Sequence, residues 1–220
     1  MSVKVQLYLR SVADVPLCVA AGADFIGLVA GGLGILPDAL DYASARAVLA
    51  AVPAGTMRVA LSVVSETEST LEMVRAVKPD VVHLAGAPWS VAEILALRQA
   101  EPTVKIMQAI AMNTGDPLRM AREYQPVCDY YLLDTNDPDA IDVGATGLTH
   151  DWNISARLVR ETNIPVILAG GLSADNVADA VRLVQPWGVD SYSHTNLPGK
   201  PVRKDPDKVR RFTANAKAAL

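Results

Sequence analysis

The chain has 220 residues, half of them hydrophobic, with 20 basic against 24 acidic side chains and a formal net charge of −4. That length supports one large core, and the charges are interspersed, with no basic block dense enough to follow a phosphate backbone, so a nucleic-acid partner is not expected. Cys18 and Cys128 stand in apolar surroundings without a Cys-x-x-Cys spacing; they read as buried free thiols in a reducing compartment.

Val3 to Leu9 reads as a first strand, and Ser11 as the cap of a helix ending near Gly22. Asp24 to Val29 is a second strand, followed by the Gly-rich loop Ala30-Gly-Gly-Leu-Gly-Ile-Leu-Pro37. The apolar stretch from Pro16 to Pro37 is about long enough to cross a bilayer. Asp24 and the glycines within it favour a helix end, a turn and a strand instead. With no visible leader, the expectation is a soluble cytoplasmic protein without a membrane partner. Tyr42 to Val52 is helical by spacing, Met57 to Val64 is a strand, and Ser65 with Glu68 has the capping-box pattern for a helix to Lys78. Strands at Asp80 to Leu84 and Val104 to Ile110 flank a helix from Ser90 to Glu101. A helix from Pro117 to Tyr124 leads to the strand Cys128 to Leu133, which ends in Asp134. After a long segment, Asp139 to Asp151, comes the helix Ile154 to Thr162.

Ile164 to Leu168 is a short, β-branched apolar run, broken by Gly170-Gly171. Such a run suits a strand buried on both faces. Ser173 reads as the cap of the helix that follows. Strand, two glycines and helix start make a candidate anion site; the same residues also suit a plain tight turn. Gly188 to Ser191 is a short last strand, and Asp205-Pro206 starts the final helix. The alternation of about eight strands with helices predicts a single (β/α)8 barrel over residues 1–220, with a doubly wound sheet as the competitor. In such a barrel, chemistry sits at the carboxyl ends of the strands, which gives weight to Gln6, Gly31-Gly32, His83, Asp134, Gly170-Gly171 and Asp190 to His194.

These pieces, in order and spacing, resemble the phosphoribosylanthranilate isomerase family. The resemblance rests on Ala20-Ala-Gly-Ala-Asp-Phe-Ile-Gly27, Lys78-Pro-Asp-Val-Val-His-Leu84, Leu132-Leu-Asp134, Gly144-Ala-Thr-Gly-Leu-Thr-His-Asp-Trp152, Pro165-Val-Ile-Leu-Ala-Gly-Gly-Leu172, Gly188-Val-Asp190 and Lys204-Asp-Pro-Asp-Lys208, and covers nearly the whole chain. It implies a (β/α)8 barrel and an Amadori rearrangement in tryptophan biosynthesis, on a small phosphorylated substrate. It implies Asp134 as general acid, with a proton affinity raised by burial. Phosphate contacts are implied at Gly170, Gly171, Ser193 and His194, and substrate contacts at Asp190 and Gly147.

The sequence also departs from the family pattern. The family's base is a cysteine in a Lys-Ile-Cys-Gly motif. Gln6 takes that position in Lys4-Val-Gln-Leu7, and a carboxamide accepts no proton at neutral pH. The family arginine of a Ser-Pro-Arg context is missing from Gly34-Ile-Leu-Pro-Asp-Ala-Leu40. His83 replaces a glutamine and Ala85 a histidine, and His194 takes the place of a glycine. Three readings follow: an isomerase with a substitute base, for which His83 is the candidate because imidazole titrates in the right range; a relative with another anionic or phosphorylated substrate; and a ligand-binding barrel without turnover. For His83 the competing role is a hydrogen-bonded core residue. Lys200, Arg203 and Lys204 either add positive charge beside the last loop or form a solvated turn. The three histidines are scattered without ligand-spaced carboxylates, and Gly31-Gly-Leu-Gly34 lacks a dinucleotide fingerprint. No metal or cofactor is therefore expected, and a monomer or homodimer is expected.

Overall fold

The computed structural model describes residues 2–32, 38–64, 66–86, 89–113, 115–135, 149–199 and 201–220. Eight parallel strands close into a barrel in sequential order: β1 (Lys4–Tyr8), β2 (Phe25–Val29), β3 (Met57–Ser62), β4 (Val81–Leu84), β5 (Lys105–Ala111), β6 (Tyr130–Asp134), β7 (Val166–Leu168) and β8 (Gly188–Ser191). Around it run α1 (Val15–Ala20), α2 (Tyr42–Ala50), α3 (Thr67–Val77), α4 (Val91–Ala100), α5 (Pro117–Tyr124), α6 (Trp152–Glu161), α7 (Val177–Val184) and α8 (Pro206–Lys217). The barrel expected from the alternation is the one observed.

Side chains alternate across a strand, and this parity sorts the core. Val5, Leu7, Ile26, Leu28, Val82, Leu84, Tyr131, Leu133 and Val189 pack outward, in one cluster with the helices. Tyr8, Phe25, Val59, Leu61, Val81, Met107, Leu132 and Ile167 form a second cluster within the barrel. The same parity turns Gln6, His83, Asp134 and Asp190 inward. Phe25, Tyr130 and Trp187 fill the amino-terminal end, their ring centroids 5.5 to 5.9 Å apart.

A repeated device ties alternate strands at that end. Asp24, just before β2, accepts the Val5 amide of β1 at 3.0 Å and the Lys4 ammonium at 2.8 Å. Asp80, before β4, accepts the Arg58 amide of β3 at 2.9 Å and the Arg58 guanidinium. Asp129, before β6, accepts the Ile106 amide of β5 at 2.9 Å and Arg98 at 2.7 Å. The Arg58 hydrogen bonds hold Asp80 below the ordinary carboxylate range against the cost of burial.

Local starts and stops differ from the sequence reading in a few places. Ser11 caps a three-residue 3-10 turn, Val12–Asp14, that feeds into α1. Ser65 lies outside the described residues, and Glu66 is the N-cap of α3. The capping box is found instead at α4, where Ser90 and Glu93 exchange hydrogen bonds. Ser173 caps a short turn through the Asp175 amide; α7 starts only at Val177, with Asn176 in the N-cap position. The helix end therefore stands one turn further from Gly170-Gly171 than the sequence suggests, because Asn176 turns back to the Ser173 amide and the Gly171 carbonyl. Among the described residues no helix is long and apolar enough to cross a membrane.

Gly27 in β2 is a glycine for lack of room: a Cβ there would meet the Tyr8 ring at 2.7 Å. Gly27→Ala is expected to cost about 1–3 kcal/mol, the usual penalty of forcing bulk into a packed core. In a Tyr8→Ala background the cost should shrink, because the obstructing ring is gone; guanidinium titration of the double-mutant cycle checks this.

Candidate active site

Asp134 is the last residue of β6 and Asp190 the third of β8, so both carboxyls point into the carboxyl-terminal mouth. They line one cleft with Gly170, Gly171, Ser193 and His194. Five of the residues singled out by sequence thus come together with Asp134. Gln6 stands opposite Asp190 in the β1–β8 register. Gly147 lies outside the described residues.

The two carboxyls differ in their surroundings. Asp134 Oδ1 accepts the Thr135 amide at 2.7 Å, a contact that favours the anion. Burial outweighs it and pushes the carboxyl up to about 6. Asp190 is nine-tenths buried, and its Oδ1 has no hydrogen bond within the protein. Burial first, and Asp134 second, push it up to about 8; the Gln6 amide and Lys204 pull the other way. The amide nitrogen and oxygen of Gln6 are likewise buried without a partner.

His83 is brought inward, as expected, but it does not line the cleft. It is 3% exposed, and its Nδ1 shares a hydrogen bond with the Tyr8 hydroxyl at 2.6 Å. Burial drops its imidazole to about 3. Tyr8 stays protonated because burial and the nearby Asp190 and Asp134 raise it well above 10. A neutral phenol and a neutral imidazole therefore share this hydrogen bond, and the expectation of a base titrating near neutrality finds no support in these surroundings. Neither thiol offers a substitute. Cys18 and Cys128 pack in the outer cluster, pushed by burial to about 11 and about 12.

The turns after β7 and β8 form the other wall. Gly170 and Gly171 have φ of +82° and +64°, a conformation open to glycine and favourable for close approach of an anion. A Cβ on Gly170 would meet Thr135 Oγ1 at 2.6 Å. Thr135 is itself tied to His150, whose other nitrogen meets Ser155 Oγ at 2.7 Å. Ser191 Oγ donates to the Leu172 carbonyl at 2.9 Å and joins the two turns. After β8 the chain makes a 3-10 turn, Ser193–Thr195, with His194 exposed on it.

Lys204 corrects the idea of a solvated turn: it is 3% exposed. An antiparallel bridge to Asn196 carries it back under β8, where Nζ donates to the Tyr192 carbonyl at 3.0 Å and to Thr195 Oγ1 at 2.7 Å. Arg203 pairs with the buried Asp14, and Lys200 lies outside the described residues. Sequence reasoning also missed Tyr8, Thr135 and His150, which carry no local pattern and gain their roles through distant partners. At the rim, Asp38 is ion-paired with Arg10 at 3.0 Å and accepts the Tyr192 hydroxyl at 2.7 Å.

Such a barrel, with paired glycines after β7 and carboxyls of raised proton affinity at the mouth, has the layout of an acid–base enzyme for small anionic substrates. Comparison with known proteins specifies the group. The family model described as N-(5'phosphoribosyl)anthranilate (PRA) isomerase matches residues 28–215. The N-(5'-phosphoribosyl)anthranilate isomerase of Halorubrum lacusprofundi is 37% identical over 93% of this chain and 91% of its own. That of Haloferax volcanii is 36% identical over 91% and 86%. The crystal structure of phosphoribosyl anthranilate isomerase from Thermotoga maritima superposes with a TM-score of 0.81 at 25% identity, covering 98% of both chains. The chain belongs to the phosphoribosylanthranilate isomerase family.

The raised carboxyls set a stability signature. Unfolded, each ionises near 3.8; folded, they hold protons to about 6 and about 8. Between those values the folded state binds more protons than the unfolded one, so this contribution to stability is lost as pH rises through the window. Asp190→Asn buries no charge. It is expected to exceed the wild type at pH 8 by at least about 1.4 kcal/mol, the equivalent of a tenfold change in proton affinity. Denaturant midpoints taken from pH 4 to pH 8 check this, and identical pH slopes for both proteins would refute it.

Proposed function

We propose that this protein catalyses an Amadori-type aldose–ketose isomerisation of a phosphoribosyl amine, with phosphoribosylanthranilate as the first substrate to test. Asp134 takes part in proton transfer. Gly170, Gly171, Ser193 and His194 hold the phosphate, while Asp190 faces the sugar. The observation that carries this reading is the cleft itself: a carboxyl poised near neutrality opposite a glycine turn at positive φ, in a chain of this family. Proton transfer to or from a sugar carbon and its ring oxygen needs a group available in both forms near pH 7, and Asp134, at about 6, meets that need.

The rim favours a second reading, in which the same chemistry acts on a phosphorylated amine without an aryl carboxylate. Asp38 accepts from Arg10 and from Tyr192 there, so that guanidinium is already paired before any aryl carboxylate arrives.

The test is turnover of phosphoribosylanthranilate, followed by loss of substrate fluorescence. Asp134→Asn is expected to lower kcat by about 10²–10⁴-fold, the usual worth of acid–base catalysis. A folded wild-type protein that leaves the substrate unchanged overturns the first reading. Thermal stabilisation by other aminosugar phosphates would then support the second.

A further inference from the structure

Position 6 carries a carboxamide, which neither donates a labile proton nor accepts one, and both cysteine thiols lie outside the barrel interior. The second group that the isomerisation needs must come from elsewhere at the mouth. Among the described residues that line the cleft with Asp134, Asp190 is the other carboxyl. Oδ1 of Asp190 is buried without a hydrogen bond, and Gln6 stands opposite Asp190 across the closing pair of strands. Buried polar groups are nearly always satisfied, and a catalytic role is one reason for an exception.

We infer that Asp190 is a catalytic residue of this isomerisation: it gives the proton to the ring oxygen, and Asp134 is the carboxylate that takes the proton from C2. This deepens the isomerase reading and rests on it, while reversing the part that the family resemblance implies for Asp134. The direction follows from contacts. The Thr135 amide at 2.7 Å stabilises an anion on Asp134. Asp190 has no such donor on Oδ1, and a buried carboxyl without a donor keeps its proton. The charged and titratable groups around Asp190 are Asp134 from β6, Tyr8 from β1, Lys204 from the segment before α8, and Tyr192 and His194 after β8. Tyr8 is protonated and turned to His83, and Lys204 donates to Tyr192 and Thr195. Asp134 is therefore the one of these that repels a second negative charge, and the two carboxyls titrate as a pair that holds one proton around neutrality.

The proton count closes. Asp190 protonates the ring oxygen as its bond to C1 breaks, and the nitrogen lone pair forms the C1–N iminium. Asp134 takes the C2 proton; the C–H electron pair becomes the C1–C2 double bond and the iminium electrons return to nitrogen. Asp134 then delivers that proton to C1, while the C2 hydroxyl proton passes to Asp190 and leaves the ketone. One hydrogen has moved from C2 to C1, the ring oxygen has become a hydroxyl, and both carboxyls are restored.

The first experiment is the pH dependence of kcat for the wild-type protein with phosphoribosylanthranilate, which needs no variant. A carboxylate base and a carboxyl acid predict a bell, rising through about 6 and falling through about 8. A rate that only falls through about 6 would return the acid role to Asp134 and overturn the inference. The second is Asp190→Asn, expected to fold, to lose kcat by about 10²–10⁴-fold with KM little changed, and to lose the alkaline limb in its residual activity. An Asp190→Asn enzyme as active as the wild type overturns the inference and leaves the isomerase reading standing. Absence of turnover by folded wild type overturns both.

Discussion

The site depends on the closure of β8 onto β1. That pairing sets Gln6 against Asp190 and Leu7 against Ser191, and strand geometry allows no intermediate choice. A slip of one residue would send Asp190 out among the helices and bring Val189 into the mouth, since side chains alternate with a period of two. The hydrophobic pattern guards against this. Val5, Leu7 and Val189 are fully buried between the barrel and its helices, and turning them inward would put three polar or charged side chains in their place. The apolar residues that face outward thus fix where the polar inward ones stand.

Within that frame, aspartates at the two ends of the barrel are handled in opposite ways. Asp24, Asp80 and Asp129 each accept a neighbouring strand's amide and a cation. All three are held below the ordinary carboxylate range despite burial. They stay ionised and fasten strands. Asp134 accepts one backbone donor, Thr135, and its charge adds to the burden of burial on Asp190. Burying them costs stability. Three tied carboxylates below and an interlocked aromatic trio beside them give the barrel strength to bear two poorly solvated ones above. Paired donors make a structural carboxylate, and their scarcity makes a reactive carboxyl.

Much of this was legible in the sequence, and the limits have physical causes. The strand ends carrying Asp134 and Asp190 could be read because a β-branched run and a following polar residue are local signals. So could α5 and α8, each introduced by Asp-Pro. Ser173 was misread as the helix cap because two cap-type residues lie three apart and the side chain of Asn176 closes the turn between them, a competition decided by geometry. His83 looked like a base because isolated imidazole titrates near neutrality; its partner Tyr8 is 75 residues away in the chain. Lys204 looked solvated because a Lys-Asp-Pro run is polar. Only the strand bridge to Asn196 turns its ammonium inward, under the Tyr192–Thr195 turn. Each miss concerns a side chain whose environment is built by chain segments remote in sequence.

The change at position 6 is best understood through proton accounting. A thiol there would add a third titratable group to a mouth that already holds two carboxyls, all within a low-dielectric barrel where like charges separate in proton affinity. A carboxamide carries no charge in either direction and leaves one proton to be shared by Asp134 and Asp190. Its amide stands opposite Asp190 and favours the ionised form. That is the form Asp190 must take once its proton has left, so Gln6 lowers the cost of transfer without taking part in it. On the proposed mechanism the uncharged Gln6 and the protonated Asp190 are linked through one local electrostatic balance: a side chain with no titratable group leaves the proton to its neighbour across the closing strand pair.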